Sequence, residues 1–260
     1  MKLAIALIPL LLILASPVSA KSAFGYRVTA KIPQPRENFV QGLEILDNYL
    51  YVSTGGYGTS RLLRYHFKNG QLDTGQQLNP DLFGEGVTVF GELIYQLTWR
   101  ARAVLVYHKD NLKLASWFRI PGEGWGLTHD NRQLIFSDGT DQLLFLSPHT
   151  RQITGAISVT ENGQPVPRLN ELEWVEGRIW ANIWKTDRVV IIDRANGEVT
   201  ASINLQGLLP VAERHDNTDV LNGIARDPAD GSIWVTGKRW PWIYQIELLP
   251  QPNQRQKNAQ

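Results

Sequence analysis

Leu50-Tyr51-Val52-Ser53-Thr54-Gly55 decides the fold, because its form returns four more times along the chain. The later copies are Ile94-Tyr95-Gln96-Leu97-Thr98-Trp99, Ile135-Phe136-Ser137-Asp138-Gly139-Thr140, Ile179-Trp180-Ala181-Asn182-Ile183-Trp184 and Ile233-Trp234-Val235-Thr236-Gly237-Lys238. Each opens on an aliphatic–aromatic pair. The aromatics stand at 51, 95, 136, 180 and 234, so the steps are 44, 41, 44 and 54 residues. Steps of about 40–45 residues are the length of one propeller blade, and the longer last step implies an insertion.

Working outward, a short strand-like segment precedes each copy: Gln41-Gly42-Leu43, Glu85-Gly86-Val87, Trp125-Gly126-Leu127, Asn170-Glu171-Leu172 and Asn222-Gly223-Ile224. A third β-rich run follows each copy, and a fourth closes most units, as at 153–159 and 199–205. Asn69-Gly70 and Asn196-Gly197 supply turn chemistry between third and fourth strands. Four strands in each of five units predict an all-β, five-bladed β-propeller. The fifth unit runs out of sequence before a fourth strand. The orphan strand at 26–32 is expected to complete that last blade and close the ring, which removes two sheet edges. Residues 21–250 then form a single domain, and 251–260 read as a disordered polar tail.

The first twenty residues resemble an export signal. Lys2 precedes an apolar run from Leu3 to Leu14, and Val18-Ser19-Ala20 offers a small-residue cleavage site. The apolar run is short for a membrane span, which needs about 20 residues. The expected location is periplasmic or secreted, with no membrane association after cleavage. No cysteine occurs among the 260 residues, so no disulfide can help, and the 43% hydrophobic content must build the core alone. Lys and Arg number 26 against 25 Asp and Glu, a net charge of +1, which leaves no electrostatic footprint for nucleic acid.

In a propeller the first strands line a central channel, so residues at equivalent places in different units converge in space. That gathers Phe39, Gln41, Phe83, Glu85, Trp125, Asn170, Glu171 and Asn222 near the first-strand starts. Trp99, Trp184 and Lys238 join them from one shared offset after the second strands. Trp174, Trp180 and Trp234 read as core. The five histidines show no ligand spacing of the His-x3-His kind, so neither metal nor cofactor is expected. Asp138 and Asp193 read as turn hydrogen-bonders rather than cation ligands.

Phe39-x-Gln41-Gly42-Leu43, Phe83-Gly84-Glu85-Gly86, Gln96-Leu97-Thr98-Trp99, Gly124-Trp125-Gly126-Leu127, Leu169-Asn170-Glu171-Leu172-Glu173, Leu221-Asn222-Gly223-Ile224-Ala225 and Val235-Thr236-Gly237-Lys238-x-Trp240-Pro241 run in order over nearly the whole chain. This ordered set resembles the glutamine cyclotransferase family of plants and bacteria. The resemblance implies a five-bladed propeller that closes the N-terminal glutamine of a peptide or protein into pyroglutamate and releases ammonia. It also implies Glu85 as the group that shuttles the proton. Lys238, Asn170 and Gln41 are candidate donors to the oxyanion, and Phe39, Phe83, Trp99, Trp125 and Trp184 candidate walls for the substrate. Where the family often has Glu-Ser-Thr-Gly, this chain has Val52, which removes one acid from consideration. A closed propeller has no obligatory partner, so a monomer is expected. A non-catalytic propeller binding peptides or glycans stays open as an alternative, as does, more distantly, a metal-dependent lactonase.

Overall fold

The computed structural model describes residues 22–250, and the export segment and polar tail lie outside the described residues. β1 (Ser22–Pro33) leads into an antiparallel sheet of β2 (Val40–Leu46), β3 (Tyr49–Thr54), β4 (Arg61–His66) and β5 (Gln71–Gln77). A second holds β6 (Gly84–Phe90), β7 (Leu93–Thr98), β8 (Ala103–His108) and β9 (Leu114–Arg119). A third holds β10 (Leu127–His129), β11 (Leu134–Ser137), β12 (Gln142–Leu146) and β13 (Ile153–Ser158). A small hairpin, β14 (Thr160–Glu161) with β15 (Gln164–Pro165), follows. It is too short for any periodicity to announce it.

The remaining strands share one eight-stranded sheet. Its order is β16 (Leu169–Val175), β17 (Arg178–Ile183), β18 (Arg188–Asp193), β19 (Val199–Asn204), β1, β22 (Trp242–Pro250), β21 (Ile233–Gly237) and β20 (Leu221–Arg226). β1 runs antiparallel to β22 from Pro33 opposite Trp242 to Phe24 opposite Pro250. Its first three residues also pair in parallel with Ala201–Ile203 of β19. The insertion expected in the last step lies between β19 and β20 and carries a 3-10 turn at Val211–Glu213.

Burial follows position within each unit. In β6 and β8 nearly every residue is buried, because both faces of the strand are covered. The fourth strands β5, β9 and β13 are largely exposed and carry the polar residues. Five apolar clusters join the sheets pairwise. They lie between the first and second sheets, the second and third, the third and the β16–β19 run, that run and the β20–β22 run, and the β20–β22 run and the first sheet. Val52 belongs to the last of these, beside Val40, Leu43 and Trp234. Its side chain is therefore packing, not part of a polar site. Trp180 and Trp234 are buried as expected, and Trp174 packs at the edge of a cluster.

The first strands lie against one another, β2 on β6 and β20, β10 on β6 and β16, and β16 on β20. Glycine permits the approach. A Cβ on Gly42 would stand 2.4 Å from Val87 N, one on Gly86 2.5 Å from Leu127 N, and one on Gly126 2.0 Å from Asn170 O. In the fourth unit the equivalent residue is Glu171, fully buried, whose carboxylate accepts from Leu43 N at 3.3 Å and Ile224 N at 2.8 Å. One side chain thus ties three units together. At this same level the strand register slips, between Val40 and Gly42, Gly84 and Val87, Leu169 and Leu172, and Leu221 and Ile224. The expected strand at 125–127 begins only at Leu127, because Gly126 N bonds Ser137 Oγ instead of a ladder carbonyl.

Besides Glu85 on β6, the first strands carry buried Glu171 and Glu173 and half-buried Glu44. Glu173 accepts from Arg226 N at 2.8 Å and Glu44 from Thr88 Oγ1 at 2.8 Å. Burial holds Glu171 and Glu173 well above the ordinary carboxylate range, and pushes Glu44 from 4.5 to about 7. The folded protein therefore keeps protons that the unfolded chain releases above about pH 4.5. Stability from these groups is complete below that pH and is lost as pH rises, Glu44's share disappearing through about pH 7. His129, pushed down by burial, opposes this with a single group. Scanning calorimetry from pH 5 to 8 is expected to show a falling Tm, and Glu44→Gln to remove the part of the fall that levels off near pH 7.

Candidate active site

The register slips aim the site residues. A bulge turns the side chain at the break out of the sheet's regular alternation. Gln41, Glu85, Asn170 and Asn222 stand at the breaks in β2, β6, β16 and β20. Gln41, Glu85 and Asn170, with Lys238 from beyond β21, line one cavity of about 290 Å³. Phe39, Phe83, Trp99, Trp125 and Trp184 line the same cavity. The four polar residues are each no more than 5% exposed, so the cavity has a secluded polar floor. Lys185 and Asp219, which the repeat pattern does not single out, share its lining. Both also border a neighbouring cavity with Asp187, Arg214 and Thr218.

The aromatic walls touch edge to face. Phe39 meets Phe83 at 6.3 Å between centroids, Phe83 meets Trp99 at 5.6 Å, and Trp125 meets Trp184 at 5.4 Å. Such contacts fix ring orientation beyond what buried area alone would do. Glycines make room for them. A Cβ on Gly55 would lie 2.2 Å from the Phe83 ring, and one on Gly139 2.7 Å from the Trp125 ring. Between Trp99 and Trp125 the link is polar instead. Glu123 Oε2 accepts both indole N–H groups, at 2.7 Å and 3.1 Å.

Glu85 is 5% exposed, and burial raises its carboxyl well above the ordinary range. Lys238 pulls in the opposite direction and Glu123 adds to the rise. Desolvation outweighs the lysine. No direct ion pair joins Glu85 to Lys238, whose Nζ stands 4.9 Å from the Phe39 ring centroid and whose own basicity is lowered by burial. Gln41 Nε2 donates to Glu85 Oε1 at 3.1 Å, while Asn222 Nδ2 donates to Val40 O at 3.1 Å and Gln41 Oε1 at 3.4 Å. Gln41 is therefore first a holder of Glu85, with one amide proton left over, which narrows the oxyanion role expected of it. Asn170 Oδ1 is buried without a partner among the described residues.

Asp138 accepts from Thr140 N and Oγ1, and Asp193 accepts from Ala195 N and pairs with Arg178. Both serve local turns. Among the described residues no group of three His, Asp or Glu side chains is arranged to hold a metal ion.

A buried polar floor with a raised carboxyl and an ammonium, lined by aromatic rings, gives this all-β fold a site equipped for acid–base chemistry. The family model described as glutamine cyclotransferase matches residues 1–248. The chain is 37% identical over 227 residues to the glutaminyl-peptide cyclotransferase of Arabidopsis thaliana, covering 85% of this chain and 70% of that one. Its structure matches the glutaminyl cyclase of Myxococcus xanthus with a TM-score of 0.84 at 32% identity, over 90% of this chain and all of that one. The chain belongs to the glutamine cyclotransferase family.

Because Lys238 favours the ionised form of Glu85, Lys238→Met is expected to move the Glu85 titration to higher pH. Carboxyl 13C chemical shifts followed against pH check this. A shift to lower pH would contradict an attraction between the two groups.

Proposed function

We propose that this chain is a glutaminyl-peptide cyclotransferase whose proton shuttle is Glu85. The observation that carries the reading is a buried, raised carboxyl with one oxygen anchored by Gln41, inside a cavity walled by five aromatic rings. The hydrogen bond from Gln41 engages Oε1 of Glu85 and leaves Oε2 to exchange a proton with substrate. The α-amine nitrogen of an N-terminal glutamine attacks its own γ-carbonyl carbon, and a five-membered ring forms. The amine's proton passes to Glu85, then to the departing nitrogen as the old C–N bond breaks. Ammonia leaves and the carboxylate is restored.

Charge that gathers on the γ-oxygen needs donors, and Lys238 is the buried ammonium lining the cavity. Asn170 and the remaining amide proton of Gln41 stand beside it. The aromatic walls hold the glutamine side chain folded back on its amine. Well-oriented intramolecular attack is worth roughly 7–11 kcal/mol. Closing out bulk water also protects the amide from simple hydrolysis.

The proposal extends to the architecture. The cyclic succession of apolar clusters and first-strand contacts, with β1 bonded to β22, supports five blades in a ring closed by the N-terminal strand, in one domain. The apolar start and small-residue site of residues 1–20 support export to the periplasm or beyond, and the protein is proposed to act as a monomer on peptides.

Incubating purified protein with a Gln-initiated peptide is expected to remove the mass of one ammonia from the peptide, read by mass spectrometry. Glu85→Gln is expected to lower kcat by roughly 10²–10⁴-fold, the usual worth of a positioned acid–base group. Substrate binding, read by calorimetry, should survive the change. Unchanged turnover in Glu85→Gln would refute the shuttle, and binding without turnover in the unmutated chain would favour a peptide-binding propeller.

A further inference from the structure

We propose that Glu123 is a positioning residue for the cyclisation, which locks the two tryptophan walls of the pocket to each other and sets the charge felt by the reacting carboxyl. The inference rests on the cyclotransferase reading of the pocket. Glu123 lies in the loop between β9 and β10, and no other unit carries an equivalent acid there. Its neighbour Gly124 packs against Leu97 of β7, where an added Cβ would stand 2.9 Å from Leu97 Cβ. The loop is thereby pressed onto the second sheet, although it leads into the third.

The aromatic lining falls into two runs. Phe39, Phe83 and Trp99 form one, and Trp125 and Trp184 the other. The break between them coincides with the step from the second to the third sheet. Glu123 Oε2 spans that break by accepting from Trp99 Nε1 at 2.7 Å and from Trp125 Nε1 at 3.1 Å. A carboxylate oxygen has lone pairs for both donors, and charge-assisted bonds are the strong ones. A half-buried turn acid would otherwise gain more by facing water. Here it ties the indoles of two sheets at one point.

The same carboxylate acts on Glu85 through space, raising its basicity against Lys238. The other charged groups around the pocket are Asp219 and Lys185 on its lining, Arg100, whose guanidinium lies 4.1 Å from the Trp99 ring centroid, and Arg239, 5.7 Å from that of Phe39. Asp219 acts mainly on Lys238. Removing the charge of Glu123 leaves Glu85 easier to ionise, so the acid limb of the kcat/KM profile moves to lower pH.

Two variants separate the strut from the charge. Glu123→Gln keeps an oxygen that can accept both N–H groups and removes only the charge. It is expected to leave KM nearly unchanged and to shift the acid limb downward. Glu123→Ala removes both, and is expected to raise KM roughly ten-fold or more, the scale of a lost charge-assisted hydrogen bond. Its near-UV circular dichroism should lose tryptophan signal that Glu123→Gln keeps. A wild-type KM in Glu123→Ala, or an unmoved acid limb in Glu123→Gln, overturns the assignment. If Glu123→Ala does not fold, the acid limb of Glu123→Gln still decides. If the unmutated chain makes no pyroglutamate, the cyclotransferase reading falls, and near-UV spectra identical in all three proteins would sink the strut as well.

Discussion

Everything in the site depends on how closely the first strands of successive units approach one another. Backbone atoms of neighbouring units meet at Gly42, Gly86 and Gly126, where any side chain would collide within about 2.5 Å. Strands that converge this tightly cannot keep a regular ladder, and four of them break register at that level. The break is also what re-aims Gln41, Glu85 and Asn170 into one cavity. Close packing and chemistry are thus two results of one geometric constraint. Glu171 belongs to the same constraint, since its carboxylate replaces a glycine and satisfies amides of two other units.

The arrangement trades stability for function. A carboxyl buried at Glu85 costs desolvation, and Lys238 offsets only part of it. In the proposed mechanism that residual rise makes the group basic enough to take a proton from an amine and acidic enough to return it. The aromatic walls shield Glu85 from water and, in the proposed reaction, shape the space for a folded glutamine side chain. Glycines at Gly55 and Gly139 let the rings lie where they do, so the pocket's shape is written partly in residues that have no side chain.

Much of the molecule is legible in its sequence, for a physical reason. The repeat of an aliphatic–aromatic pair locates the second strand of every unit, and equivalent positions must converge if the units are arranged radially. Convergence selects Glu85, Lys238 and the indoles, which share one cavity. The bulges stay hidden, because strict strand alternation assigns each side chain a face without knowing where the register slips. Glu123 escapes notice because that acid stands in a loop unmatched in the other units. Lys185 escapes it although it follows Trp184, since adjacent residues of an extended chain face opposite ways, and its left-handed backbone, φ 64°, breaks that alternation. Asp219 lies in the insertion, outside every repeat. The early start expected for the third unit's first strand fails at Gly126, whose N–H turns to the Ser137 hydroxyl while its carbonyl accepts from Ser137 N.

One carboxyl is held to serve both nitrogens of the same glutamine, and the chemistry stands or falls on that. A crystal structure of Glu85→Gln with a Gln-initiated tripeptide bound tests it most directly. The expected complex has a glutamine side chain curled back on itself, its α-amine and γ-amide nitrogen both within about 3.2 Å of the residue-85 side chain. A side chain bound extended, with either nitrogen out of that reach, would contradict it.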